Sequence, residues 1–311
     1  MVKTAVLLTA YNGGAHLPAL LDSLTAQTDP EFIVLMQDDG STDETPSLLS
    51  GIAERDSRFV FGDEQGRHLG AAGNFLSLLR QSDADYVLLC DQDDFWEPEK
   101  IAVLKQSLLE LEKQYGTDTP LMVHSDSSLI DESGSLIGSS FFRHQGWDPR
   151  AVTLRQLLVQ NNVTGCTLIM NAALRSLVAA HAVAKELFMH DWFIALTAAS
   201  FGRIAFVDRP LTQYRQHGDN TIGASTQSLL IRGMDALCRR KDAKRRILLT
   251  YTHTAVFGRL YGEELPGPAR DIVDRYLATR HMRKLPRVLA VRRMGCVMQS
   301  PVTRLGQLLF G

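Results

Sequence analysis

Three carboxylates within four residues, Asp91, Asp93 and Asp94, carry the strongest chemical signal in the chain. Acids packed this closely repel one another and stay ionised at neutral pH only beside a cation or strong donors. A hard divalent ion such as Mg²⁺ or Mn²⁺, itself bridging to phosphate oxygens, meets that need. The plainer use of the same residues is an acidic loop that caps the helix after Pro98. Asp38 and Asp39 form a second acidic pair, suited to accept hydrogen bonds from a ribose hydroxyl or a base N–H. Thr9, Tyr11 and Asn12 supply a ring and small polar groups that can hold a flat base. Asx turns and caps compete for all of these residues. Asn74 lies in the small-residue segment 70–75, which can bring a helix N-terminus to a phosphate or simply allow close helix–sheet packing. Asp191, between His190 and Trp192, is either a helix N-cap or a general base for an attacking hydroxyl. Arg215 suits bidentate phosphate contact and a neutral His217 suits a metal, although a lone histidine is more often structural.

Such groups act together only if the fold gathers them, and the hydropathy pattern predicts how. Residues 86–90 form an apolar run of the kind buried on both faces in a parallel sheet, with the three acids just past its carboxyl end. Open α/β sheets bind ligands at that end. Residues 4–9 and 32–36 are further strands ending in Thr9–Asn12 and in Asp38–Asp39, and 59–61 reads as a third. Leu17, Leu20, Leu21 and Leu24 fall on one helical face, as do Ile101, Leu104, Leu108 and Leu111. Residues 71–81 also read as helix. Pro46, tolerated only in a first helical turn, favours Asp43 as the cap of the helix after the second strand. This alternation predicts an α/β, Rossmann-like, mostly parallel sheet. After residue 120 it loosens: strand over 121–130, a hairpin turn at 131–134, strand over 166–170, helix over 187–199, and two short strands at 204–207 and 211–214. From residue 225 onward the pattern is helical with basic faces, so residues 1–224 are expected to form the catalytic domain and 225–311 a basic helical extension.

Composition narrows the function classes. At 311 residues, with 45% hydrophobic and 22% charged content, the chain reads as an ordinary globular protein. Its four cysteines match no zinc or redox spacing. No apolar run approaches the roughly 18 residues of a membrane span, and the N-terminus is too short and strand-like for a signal peptide. A cytoplasmic location is the expectation. The net charge of −2 conceals an asymmetry, because from Arg232 onward 17 Lys and Arg face six Asp and Glu, leaving the remainder at −13. Basic clusters such as Lys244–Arg246 and Arg292–Arg293 recur among leucines and valines, a pattern that suits an anionic membrane surface or helices packed on the catalytic domain. Nucleic acid is disfavoured, since aromatics are not interleaved and no binding module is recognisable.

The motifs Thr9-Ala-Tyr-Asn12, Gln37-Asp-Asp-Gly-Ser-Thr-Asp43, Asp91-Gln-Asp-Asp-Phe-Trp96, His190-Asp-Trp192 and Tyr214-Arg-Gln-His217 stand in this order. Together they resemble the nucleotide-sugar-dependent glycosyltransferases of family 2, with the GT-A fold, and most of all the bacterial rhamnosyltransferases of polysaccharide and O-antigen synthesis. The resemblance covers about two-thirds of the chain and leaves out the last ninety residues. It implies that Thr9, Tyr11 and Asp39 hold the nucleotide, with Asn12, Asp38 and Asn74 nearby. Asp91 would touch ribose or donor sugar, Asp93 would bind Mg²⁺ or Mn²⁺ on the diphosphate, and His217 with Arg215 would approach from the far side. Asp191 would be the base. Trp96 and Trp192 would face the acceptor. His190 stands where family members usually carry an acid. The Gln-x-x-Arg-Trp motif of processive synthases is absent, which implies transfer of one or a few sugars. The implied donor is dTDP-rhamnose, with a UDP-hexose or UDP-N-acetylhexosamine as the alternative. A polyprenyl-diphosphate-linked saccharide is the implied acceptor, met at the inner face of the cytoplasmic membrane. An inactive nucleotide-sugar-binding relative is the reading from another class.

Overall fold

The computed structural model describes residues 3–216 and 240–310. His217 and the expected domain boundary at 224 lie outside the described residues. Strands β1 (Thr4–Ala10), β2 (Ile33–Asp38), β3 (Phe59–Phe61) and β4 (Tyr86–Asp91) run parallel in the order β3-β2-β1-β4. Helices α1 (Leu17–Thr25), α2 (Thr45–Arg55) and α3 (Gly70–Gln81) connect them. Beyond β4 the sheet changes character. β8 (Leu168–Asn171) lies antiparallel to both β4 and β6 (Leu121–Ile130), β9 (Arg203–Arg215) runs parallel to β6, and β5 (Phe95–Trp96) pairs with β9. β7 (Leu136–Gly138) folds back on β6 through the turn expected at 131–134, and the short helices α5 (Phe141–Gln145) and α6 (Leu154–Leu157) follow.

Each buried strand sends alternate side chains into two cores, as period-two geometry requires. Ala5, Leu7, Val87 and Leu89 meet Phe75 and Leu79 of α3, with α7 (Ala172–His181) and α8 (His190–Phe201) on the same face. Val6, Leu8, Leu88 and Cys90 meet α1, α2 and α4 (Lys100–Tyr115) on the other. Burial of both faces explains why β1 and β4 read as unbroken apolar runs.

The C-terminal helices α9 (Arg240–Tyr261), α10 (Gly267–Thr279), α11 (Lys284–Arg293) and α12 (Pro301–Phe310) are built into the first core. The Tyr261 ring stacks on Phe193 at 5.6 Å, and its hydroxyl lies 2.8 Å from Thr197 Oγ1. Tyr251 and Tyr276 stack at 4.8 Å and bond to Thr279 and Thr250 respectively. The described part of the basic tail therefore packs on the catalytic unit through aromatic residues and turns its charges outward.

Three local expectations change. The pieces expected at 204–207 and 211–214 form one strand, β9. The pairing partner β6 shifts register opposite Pro210, so the polar residues Asp208 and Arg209 mark an irregularity, not a strand end. Asp43 does not cap α2 as the residue preceding it; the helix starts at Thr45 after Glu44, while Asp43 accepts the Thr45 N–H and the Gly14 N–H. The strand expected at 166–170 begins only at Leu168, because Gly165–Thr167 coil into a 3₁₀ turn that carries functional neighbours.

Candidate active site

Register places the first site residues side by side. Thr9 pairs with Asp91 across β1 and β4, and Ala10 pairs with Asp38 across β1 and β2, so the three carboxyl ends form one rim. Gln92 then clamps the first loop to the acidic one: its Oε1 accepts from the Tyr11 N–H at 2.6 Å and its Nε2 donates to the Tyr11 carbonyl at 3.0 Å. Asn12 adopts a left-handed conformation (φ 49°), and its side-chain oxygen accepts the Thr42 N–H. The Tyr11 ring is thereby presented to solvent, 46% exposed and 5.0 Å from the His68 ring. An open aromatic face beside polar groups can stack a flat base.

The acids that follow occupy two environments. Asp91 and Asp93 are partly exposed, whereas Asp94 is buried. Carboxylate oxygens of Asp91 and Asp94 and the Cys166 Sγ lie within 4.8 Å of one another. No hydrogen bond of ordinary geometry reaches either oxygen of Asp94, although the Cys166 thiol and the Arg215 backbone N–H lie near it. Burial, followed by repulsion from Asp93, pushes its carboxyl up to about 7, against the pull of the Cys166 thiol, Lys100 and the Arg215 backbone N–H. Loss of hydration, then the charges of Asp94, Asp93 and Asp191, raise Asp91 well above the usual carboxylate range. Crowded carboxyls with so little support form a site short of positive charge.

Part of that charge is internal. Lys100, at the start of α4, is fully buried, donates to the Cys166 carbonyl at 2.6 Å, and holds its ammonium 3.3 Å from the centre of the Trp96 ring. Burial lowers it to about 8, opposed by Cys166, Cys90, Asp94 and Asp91. The sequence signal for Lys100 was present: it stands four residues before Leu104 on the buried stripe of α4, where a cation needs a partner.

Asp191 enters from another part of the chain. It is in the first turn of α8, where its Oδ1 accepts the Trp192 N–H at 2.6 Å and its Oδ2 the Gly165 N–H at 3.2 Å. Its charge reaches Asp91 strongly enough to raise that acid. Gly165 eases the approach, since a Cβ there would crowd His190 Nε2 at 3.3 Å while meeting Asp191 Cβ at an ordinary 3.6 Å. Burial pushes Asp191 up to about 7, against the two backbone donors and its own. A carboxylate poised near neutrality suits proton abstraction at physiological pH. His190 stacks on Phe75 at 4.4 Å and is pushed down to about 4 by burial, so it is neutral at pH 7 and packs as an aromatic.

Several expected contacts are different. Trp96 has no exposed surface and is core beneath Lys100, so it cannot face an acceptor. Trp192 is buried too, donating its indole N–H to the Leu157 carbonyl at 2.6 Å and packing on His253 and Phe188. Phe188 is the exposed aromatic at this end of α8, and the sequence reading passed over it. Asn74 is buried and accepts from Gln37 Nε2, out of reach of a nucleotide. The helix start, read as either a phosphate cradle or a close helix–sheet contact, is occupied by Asp39, whose carboxylate takes the N–H groups of Leu69 and Gly70 at 2.5 and 3.0 Å. Asp38 accepts from Gly40, Ser41 N–H and the Ser41 hydroxyl, an Asx turn. Arg215 is not an open phosphate ligand: it is largely buried, with Nε on the Asp93 carbonyl and Nη1 on the carbonyls of Asp131 and Glu132. It fixes the acidic loop against the β6–β7 turn. Thr9, Tyr11, Asp91 and Asp191 are brought together at the rim, with Asp93 beside them.

A parallel α/β half joined to an antiparallel one, with acids at the carboxyl end of β4, is the arrangement of the GT-A glycosyltransferases. S. aureus TarS 1–349 shares the fold with a TM-score of 0.57 at 18% identity, over 98% of this chain and 86% of that one. Mannosyltransferase PcManGT from Pyrobaculum calidifontis, solved with GDP-Man and Mn²⁺, gives a TM-score of 0.54 at 16% identity, over 94% of this chain and 72% of that one. The model for "Glycosyl transferase family 2" matches residues 5–178, and the chain belongs to that family. Among curated relatives it is similar to the putative glycosyltransferase EpsH of Bacillus subtilis, at 22% identity over 74% of this chain and 65% of that protein. It is also similar to the dTDP-rhamnosyl transferase RfbG of Shigella flexneri, at 24% identity over 70% of this chain and 74% of that protein.

Proposed function

We propose that the protein is an inverting, divalent-metal-dependent glycosyltransferase that moves one sugar from a nucleoside diphosphate to a hydroxyl of a saccharide acceptor. The observation that carries this reading is the approach of Asp191, a buried acid near neutral pKa, to the crowded acids at the end of β4. Tyr11 would stack the base, and Thr9 with the rim of β1 and β2 would border the ribose. Asp91 and Asp93, the acids open to solvent, fit a hard cation shared with the diphosphate, while buried Asp94 adds negative charge from behind. Such an ion, when bound, would offset the charge that appears on the departing diphosphate. The acceptor hydroxyl gives its proton to an Asp191 oxygen as its own oxygen bonds to the anomeric carbon. The anomeric C–O bond breaks on the opposite side, and its electron pair leaves with the nucleoside diphosphate. Configuration is inverted, and no covalent enzyme nucleophile is needed.

The similarity to RfbG favours dTDP-rhamnose as donor. A UDP-sugar is the second reading, favoured by the structural likeness to TarS solved with UDP-GlcNAc. A saccharide carried on a polyprenyl diphosphate is the acceptor class we favour, with the protein meeting it peripherally at the inner face of a membrane. Among the described residues no helix is long and apolar enough to cross one. The test is a donor screen measuring released nucleoside diphosphate, with and without Mn²⁺. We expect Mn²⁺-dependent release from dTDP-rhamnose above all UDP-sugars. No release from any donor in the presence of Mn²⁺ and saccharide acceptors would favour an inactive nucleotide-sugar binder.

A further inference from the structure

The last two helices present a surface that the transfer chemistry does not use. On α11 and the turn before it, Met282, Leu285 and Leu289 fall at i, i+3 and i+7, and all three are exposed, Leu285 by 76% and Leu289 by 54%. On α12, Leu305, Leu308 and Leu309 are exposed on one face. Single exposed leucines are ordinary, but three on each of two helices that border one cavity, counting Met282 with the first, are not. Between these helices, α9 and the segment before α6 (Leu154–Leu157) runs a cavity of about 720 Å³. Its walls are apolar at Ile247, Val288 and Met298, and Arg287, Arg292 and Arg304 line it as well.

Charge identifies what could cover such a face. Residues 275–311 contain eight Lys and Arg and no Asp or Glu. Arg283, Lys284, Arg292 and Arg293 are exposed around the leucines of α11. A neutral partner protein would leave this charge unmatched, and a second copy of the chain would set it against itself. Leucines flanked by basic side chains on short helices are the physical pattern of a helix lying in a bilayer interface. Anionic headgroups attract the cations while the leucines enter the acyl boundary.

We infer that the α11–α12 face docks on an anionic bilayer, with Leu285 and Leu289 inserted and the arginine-lined cavity receiving a lipid headgroup phosphate. The inference deepens the proposed encounter with a lipid-linked acceptor and rests on that reading only for its purpose. Binding itself is independent of turnover.

Flotation of the full chain with vesicles tests it. We expect partition onto vesicles containing phosphatidylglycerol, little onto pure phosphatidylcholine, and loss at high salt. Leu285→Ser with Leu289→Ser should lower partition by on the order of tenfold or more, and both residues are exposed enough for the fold, checked by circular dichroism, to survive. Arg292→Gln with Arg293→Gln should lower it by roughly twenty-five-fold, at about fivefold per basic residue. Equal binding to both vesicle types, no binding to either, or unaltered binding by both double variants would each overturn the inference. A concentration-dependent dimer in light scattering that the leucine variant abolishes would also overturn it, in favour of a second copy. Release of nucleoside diphosphate, measured on the same samples without vesicles, reports separately on the transferase reading.

Discussion

Lowering the pH from 8 to 6 should slow transfer about tenfold through Asp191 alone. Burial places its carboxyl at about 7, against an ordinary 3.8. The group is raised, so its ionised, proton-accepting form is lost as pH falls through 7. By simple titration roughly nine-tenths of the sites are ionised at pH 8 and one-tenth at pH 6. An Asp with an ordinary carboxyl would be fully ionised across that range and would impose no such slope. The assay is kcat/KM for nucleoside diphosphate release at saturating Mn²⁺, with the logarithm plotted against pH. We expect unit slope below about 7 and a plateau above it. Asp191→Asn should lower the plateau by about 10²–10⁴, the usual contribution of a positioned general base, and should also flatten the profile. A wild-type profile already flat from pH 5 to 8, or an Asp191→Asn variant that keeps the slope, would refute the assignment. The second variant outcome would mean that another acid takes the proton.

Three further outcomes follow from the packing around the site. Lys100→Met removes the buried cation beside Asp91 and Asp94 and should destabilise the protein by about 3–5 kcal/mol in urea unfolding; a change within about 0.5 kcal/mol would show that the ammonium balances nothing there. In the metal-free protein Asp94 and Asp191 are both raised, so the stability they contribute is present below about pH 4 and is lost as pH rises through 7. Mn²⁺ should therefore raise Tm more at pH 8 than at pH 5 in thermal melts, and equal shifts would contradict the acid cluster as the ion's site. Gly202→Ala would place a Cβ 1.7 Å from the Pro120 carbonyl oxygen, where β6 and β9 begin. Relief requires backbone movement, and a loss of about 1–3 kcal/mol or more in the same unfolding assay is expected.

What the sequence made legible follows from how each signal is encoded. β1 is buried throughout and β4 up to Asp91, so apolar runs announced them and the acids beyond them could be placed on one rim. β9 was read as two strands because Asp208, Arg209 and Pro210 interrupt the pattern, whereas the partner strand absorbs the irregularity by shifting register. Ligand contacts were less legible than strand ends. A carboxylate that binds a ribose and one that caps backbone N–H groups have the same residue type in the same place, and only coordinates show Asp39 spent on Leu69 and Gly70. Trp96 was misplaced by its closeness in sequence to the acids, although strand alternation carries its ring inward. Gln92 and Gly165 left no pattern: one works through a side chain that clamps a loop, the other through the absence of a side chain.

The central claim is that distant segments converge on one nucleotide-sugar site, and anomalous diffraction from crystals grown with Mn²⁺ and a nucleoside diphosphate tests it most directly. The account predicts a Mn²⁺ peak coordinated by the acids at the end of β4, the base against Tyr11, and Asp191 facing the position vacated by the sugar. A nucleotide bound elsewhere, or bound here with Asp191 pointing away from the diphosphate, would contradict it.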